Sequence, residues 1–172
     1  MKWIFYLMLC SLTVCCPGTV AATESSPDVL NIPAESMMVI QVFAPERMAE
    51  IAADSSHPLQ QGAQNWLRWF QASYKCSDPM VIHYGVKNAQ GERAFLTETT
   101  PAETRKNLEI YLREELQRMT AKGVAPEKVY LYVRSNFDAP WRRVALLVEA
   151  ATHAGIEHII MSHPFHENSD DE

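Results

Sequence analysis

The chain has 172 residues, of which 47% are hydrophobic and 21% charged, and a formal net charge of −6. That length suits one domain with a leader and tails, and the apolar share is enough for a packed core, which excludes a wholly disordered chain. The acidic balance excludes a sequence-independent nucleic-acid binder, which needs a basic face to neutralise phosphates, and argues against adhesion to an anionic membrane surface.

In chain order, residues 1–22 read as an export signal. Lys2 supplies a positive charge, an apolar run extends from Trp3 to Cys16, Pro17 and Gly18 break it, and Val20 and Ala22 are the small residues of a signal-peptidase site. The run is about 14 residues long, short of the roughly 20 that a membrane span needs. Two other fates stay open: retention as an N-terminal anchor, and acylation at Cys15 or Cys16, before which Leu12, Thr13 and Val14 form a loose lipobox. Cys10, Cys15 and Cys16 all lie in this leader, so its removal leaves Cys76 alone. One thiol cannot form an internal disulfide; it is either buried and inert or a bridge between chains.

Residues 23–28 are expected to be a flexible start. The run Met37, Met38, Val39, Ile40, Gln41, Val42, Phe43 predicts a strand. Residues 45–53 predict a short helix with Met48, Ile51 and Ala52 on one face, and residues 54–58 a loop. Trp66, Leu67, Phe70 and Tyr74 stand at helical spacing and predict an amphipathic helix over 64–74, its aromatics facing either the core or a partner. Residues 23–75 are expected to form an extension to a domain at 76–166, and 167–172 an acidic, disordered tail.

The domain itself begins with a hairpin: a strand over 79–86, a turn at 88–91 with Gly91 suited to positive φ, and a return strand over 92–97. Thr100, Pro101 and Glu103 make a strong helix start. That helix carries Leu108, Tyr111, Leu112, Leu116 and Met119 on one face and stops at Gly123. A strand over 128–133 and a loop over 135–139 follow. Pro140 opens a second helix with Val144, Leu147, Val148 and Ala151 inward; Gly155 ends it, and residues 156–161 form the last strand. The order ββαβαβ predicts an α/β (α+β) two-layer sandwich, one mixed sheet covered by two helices.

Residues 129–161 carry a pattern. A hydrophobic strand leads into a loop with Arg134, Asn136 and Asp138, then Pro140 and Trp141 at a helix start, then Ala154, Gly155, Ile156 and a final apolar strand. This resembles the closing strand–loop–helix–strand of the periplasmic domain of the ExbD/TolR biopolymer-transport family, and the upstream hairpin and long helix fall in that family's order. The resemblance implies a non-enzymatic periplasmic module without cofactor. Such a module forms a homodimer and contacts a proton-channel membrane subunit or the cell wall, in biopolymer transport driven by the proton-motive force or in envelope maintenance. Two departures stand against full transfer. Asn136 occupies a position that is usually Asp in the family, and residues 3–16 hold no acid, whereas family members carry one in a transmembrane helix for proton movement. The motif residues also have local meanings of their own: Asn136 and Asp138 can close Asx-type turns, Pro140 presets a helical φ, Gly155 permits a left-handed cap and Ile156 the contact after it.

Other chemistry is thinner. His153, His158, His163 and His166, with Glu167, support an alternative as an envelope metal-handling protein, although their spacing matches no closed zinc pattern. Cys76, Asp78 and His83 would be needed for a nucleophile and base, but fit no known elbow. No glycine-rich phosphate loop, dinucleotide fingerprint or Gly-x-Ser-x-Gly is present. Arg134, Arg142 and Arg143 read either as an anion site or as surface charges. Taken together, these residues predict an exported protein of the periplasm or cell envelope with neither catalytic residues nor metal.

Overall fold

Along Met37–Val42 (β1) alternate side chains are buried: Met38, Ile40 and Val42 are enclosed, while Val39 is 36% exposed. Period-two burial is how a strand presents one face to a core. The computed structural model describes residues 32–136 and 138–162. The other strands are β2 (Tyr84–Lys87), β3 (Arg93–Leu96), β4 (Tyr130–Ser135) and β5 (His158–Ser162), and the five form one mixed sheet in the order β3-β2-β1-β4-β5. β1 runs parallel to β4 over all six residues, from Met37 opposite Tyr130 to Val42 opposite Ser135, and β4 runs parallel to β5. β2 is antiparallel to both β1 and β3.

Four helices complete the fold: α1 (Pro45–Ala53), α2 (Gln60–Tyr74), α3 (Pro101–Ala121) and α4 (Trp141–Ala154). Leu108 and Leu112 of α3 and Val144 and Leu147 of α4 pack on Met38, Ile40, Val42, Tyr84, Leu131 and Val133. This is the mixed sheet under two helices expected from sequence, and the class is α+β.

The helix ends follow from their sequences. The Thr100 hydroxyl accepts the Glu103 N–H at 3.3 Å and donates to the Glu103 carboxylate at 3.1 Å, a reciprocal cap. At the other end of α3, Gly123 (φ +92°) donates to the Thr120 carbonyl and Val124 to the Met119 carbonyl; Gly155 (φ +86°) and Ile156 repeat this on Thr152 and Ala151 at the end of α4. Both are Schellman caps, in which glycine takes the left-handed residue. α2 ends the same way with a lysine instead, Lys75 at φ 50°.

Three features differ from the sequence-based expectation. Residues 23–75 are expected to be an extension, yet they supply β1, the central strand. Its long partner β4 lies some ninety positions away, so no local pattern announces the pairing. The second feature is a helix pair on the opposite face. Phe70 and Tyr74 of α2 are buried with Phe43 and Ile82, and the Phe43 and Phe70 rings meet edge to face with centroids 4.6 Å apart. Some boundaries also move. The Asp78 carboxylate accepts the Met80 N–H at 2.9 Å and holds Pro79–Val81 in a 3-10 turn, so β2 starts only at Tyr84. Pro140 stands just outside α4 as its cap residue instead of opening the first turn. The leader at 1–22, the tail at 167–172, His163 and His166 fall outside the described residues. Among the described residues no helix is long and apolar enough to cross a membrane.

Candidate functional site

β1 and β4 are parallel neighbours, but the chain leaves them on opposite faces: β1 leads to α1 and α2, β4 leads to α4. Where parallel strands part in this way, a crevice opens outside their carboxyl ends, the usual ligand position in open α/β sheets. Here the crevice is a cavity of about 380 Å³ lined by Arg47, Met48, Ile51, His57, Leu59 and Asp138, with Asn136 at its edge. The Asn136 N–H donates to the Val42 carbonyl at 2.8 Å, tying the β4–α4 loop to β1, and its carbonyl accepts the Ala139 N–H at 2.9 Å. The Asp138 carboxylate stands 3.6 Å from the Arg47 guanidinium.

Beside this crevice an arginine is buried. Arg143 is 3% exposed; its Nε meets Glu98 Oε2 at 2.6 Å, and one terminal nitrogen meets Glu46 Oε1 at 2.8 Å and the Phe43 carbonyl at 2.7 Å. Arg142 approaches the other Glu98 oxygen at 3.2 Å. Burial would raise the Glu98 carboxyl, but its hydrogen bond to Arg143 and the fields of Arg143 and Arg142 prevail and hold it below the usual glutamate value. His83 Nδ1 accepts the Glu98 N–H at 2.7 Å. Burial, reinforced by Arg143, lowers its pKa and favours the neutral ring. The Tyr84 hydroxyl donates to the Arg143 carbonyl at 3.2 Å, and burial raises its pKa far above the usual phenol value. The cluster is a strut that joins the starts of α1 and α4 to the β3–α3 link; two arginines face two glutamates, and among the described residues Glu46 Oε2 is buried without a hydrogen-bond partner.

The sequence-singled residues therefore separate. Asn136 and Asp138 line the crevice; Pro140, Gly155 and Ile156 shape the two ends of α4. Arg134 is exposed on the sheet, Arg143 is buried, and Arg142 sits on Glu98, so the three cations do not converge on one anion. The Cys76 thiol donates to the Asp78 carbonyl at 3.1 Å, the Asp78 carboxylate holds the following turn, and His83 faces Glu98. His153 lies 3.7 Å from Glu109. The His158 ring stacks on Tyr130 with centroids 4.8 Å apart, and its Nε2 is 3.0 Å from the Glu127 carbonyl. Among the described residues no group of three or more metal-ligating side chains forms.

The larger feature is the sheet face opposite α3 and α4. Over β2 and β3 it is covered by the α2 aromatics: the Tyr74 hydroxyl reaches Gln41 Oε1 at 3.3 Å, and Phe95 packs against the cluster. Over β1, β4 and β5 the cover stops. Val39, Tyr132 and Ile160 stand in register on this face, with Met37, Tyr130 and His158 in the row beside them, and none of the six is buried. β5 also has no strand on its outer side among the described residues. The alternation of Tyr130 and Tyr132 with the enclosed Leu131 and Val133 is a readable sign of this face, because polar-tipped aromatics suit a half-wet surface. Nothing local announces the burial of Arg143, whose partners are 45 to 100 positions away.

No protein-family model, curated protein or solved structure matches the chain.

Proposed function

We propose that the chain is an exported, non-enzymatic interaction module of the cell envelope, akin to the periplasmic domain of ExbD/TolR proteins. In this reading it pairs with a second copy and with a proton-channel membrane subunit or cell-wall component, in transport driven by the proton-motive force or in envelope maintenance. The observation that carries the reading is the half-open sheet: Val39, Tyr130, Tyr132 and Ile160 form a contiguous row-and-column surface that α1 and α2 leave uncovered. Exposed aromatic and aliphatic side chains gathered in one patch mark interaction sites, and tyrosines are favoured at interface cores. The outer side of β5, which carries no strand among the described residues, adds a main-chain edge that a partner strand can use. The titratable groups beside the crevice support binding over chemistry, since Arg143 and Arg142 are already engaged by Glu98 and Glu46.

The test is affinity capture of the tagged full chain from native envelopes after mild crosslinking, with mass spectrometry that also reports the N-terminal peptide. The expected result is a mature N-terminus at Thr23 and recovery of a multi-pass channel subunit or wall fragments. Ile160→Glu should weaken recovery by about tenfold, the effect of losing one interface contact. A retained leader, a strict monomer at every concentration and no envelope component would overturn the proposal.

A further inference from the structure

β3 is the outer strand on the other side of the sheet, and its edge is built to receive a strand. The Glu92 carbonyl accepts the Asn88 N–H at 2.9 Å, and further along β3 Ala94 and Leu96 stand opposite Val86 and Tyr84. Alternate residues of an antiparallel strand send their main-chain groups to the same side, so Ala94 and Leu96 bond to β2 while the N–H and C=O of Arg93 and Phe95 point outward. Among the described residues no strand or side chain takes them.

Both faces beside this edge carry exposed apolar groups. On the α2 face Trp69 is 50% exposed, with the Arg93 guanidinium 5.1 Å from its ring centroid, and Phe95 is half-buried. On the α3 face Ile110 is 46% exposed, and two cavities of about 340 and 270 Å³ open between β3 and α3. They share Leu96, Tyr111 and Glu114; Ala94 lines the first, Asn107 and Ile110 the second. Leu96 thus lies toward Ile110, and Ala94 toward Glu114. One helical turn separates Ile110 from Glu114, a rise of about 6 Å. That matches the roughly 7 Å between alternate side chains of a strand.

The charged groups lining these cavities are Lys87, Glu114, Glu115 and Arg118. Glu115 and Arg118 hold each other, and Lys87 belongs to β2, behind Arg93 as seen from the edge. Glu114 is exposed, common to both cavities and in no ion pair among the described residues. An incoming strand that fills this groove therefore meets an apolar site at Leu96 and Ile110 and, two positions away on the same face, a carboxylate. The β3 strand of a second copy fits badly. Its residues of matching parity are Ala94 and Leu96 flanked by Glu92 and Glu98, which brings acids to a site that wants a cation.

We infer that an extended segment of a partner protein adds to β3 as a further strand, bonding to the outward main-chain groups of Arg93 and Phe95, with an apolar side chain against Leu96 and Ile110 and a lysine or arginine two positions away at Glu114. Main-chain bonds supply affinity in such additions, and the pockets for alternate side chains supply specificity. This surface is separate from the open face over β1, β4 and β5, so the inference does not depend on the docking role proposed there.

The experiment is hydrogen exchange and amide chemical-shift mapping of the isotopically labelled exported chain, titrated to millimolar concentration with the capped peptide Thr-Lys-Thr-Leu-Thr-Lys-Thr. Its symmetry places a lysine beside Glu114 in either strand direction. The expected result is slowed exchange at the Arg93 and Phe95 amides, with shifts along 93–97 and 107–114. Replacing both lysines of the peptide by glutamate should weaken binding by about fivefold, and Glu114→Lys should reverse that preference. The isomer Lys-Thr-Thr-Leu-Thr-Thr-Lys, which moves the lysines to the other face, should bind as weakly as the glutamate peptide. Ile110→Ser should weaken all three; Ile110 and Glu114 are exposed, so both variants fold. Unchanged exchange at Arg93 and Phe95, equal binding of the two lysine isomers, or a preference indifferent to Glu114→Lys would each overturn the inference. Protection at these amides that rises with protein concentration in the absence of peptide would make the occupant a second copy and overturn it too. Peptide protection at β5 in place of β3 rejects this site and leaves the docking role of the opposite edge standing.

Discussion

Gly85 is where the second layer touches the sheet, and replacing it by alanine tests the packing directly. A Cβ at this position would lie 2.2 Å from the Tyr74 hydroxyl oxygen, 2.7 Å from Phe43 Cε2 and 3.1 Å from Tyr74 Cζ. Both rings are buried in the α2 cluster, Phe43 at 7% and Tyr74 at 6% exposure, so neither can swing aside without moving its neighbours. Overpacking of this kind costs about 1–3 kcal/mol. Displacing Tyr74 also strains its hydrogen bond to Gln41, a contribution of about 1 kcal/mol. The favourable backbone term for alanine over glycine in a strand is at most about 1 kcal/mol, so Gly85→Ala should destabilise by about 1–3 kcal/mol net. Urea unfolding of the exported chain followed by tryptophan fluorescence reads this as a midpoint lowered by roughly 0.5–1.5 M at an ordinary m-value. Tyr74→Phe removes the nearest atom, so the double variant should recover part of the loss, with a coupling of about 1 kcal/mol. A Gly85→Ala protein as stable as the parent, or a double variant with no recovery, would refute the packing of Tyr74 onto this glycine.

Arg143→Met should destabilise by about 3–5 kcal/mol in the same unfolding assay, because it strands Glu46 and the Phe43 carbonyl and leaves Glu98 with only the exposed Arg142. Lys75→Gly should stabilise by about 0.5–1 kcal/mol, since only glycine takes the left-handed cap of α2 without strain. Thermal midpoints should fall as pH drops, in two steps. His83 has a lowered folded pKa, so its contribution is complete above the ordinary histidine value of 6.5 and is lost as pH falls below it. Glu98 is also lowered, so its share is complete above 4.5 and lost as pH falls through its folded value. His83→Gln should flatten the first step and leave the second, which differential scanning calorimetry from pH 8 to pH 3 can resolve.

The parts of the fold legible in sequence are those decided within a few residues. Thr100 and Glu103, Asn88 and Gly91, Gly123 and Gly155 each act through partners one to five positions away, and each is found in the expected turn or cap. β1 was equally plain as a strand, but its place in the middle of the sheet depends on β4, and no period-two pattern names its partner. The crevice shows the same division. Asn136 and Asp138 were visible as loop residues, whereas Arg47 and Leu59, which close the cavity opposite them, come from a stretch that looked peripheral. Arg143 resembled its surface neighbour Arg142 in every local respect; only the fold distinguishes a residue 3% exposed from one whose side chain is 70% exposed. Gly85 did leave a trace, since a glycine inside an apolar strand often marks close approach of another group.

The parallel pairing of β1 with β4 also sets the timetable of folding. A growing chain that has reached α3 possesses β1 and the β2–β3 hairpin but not the strand that completes the centre, which arrives only with Tyr130–Ser135. Closing a loop of that length is slow compared with forming hairpins or helices, so the sheet is assembled near the end of synthesis and not along the way. Until then the apolar edge of Met37–Val42 stands unpaired on the β4 side, and a chaperone or threading machine that prefers extended, unfolded polypeptide has its longest access to this protein during that interval.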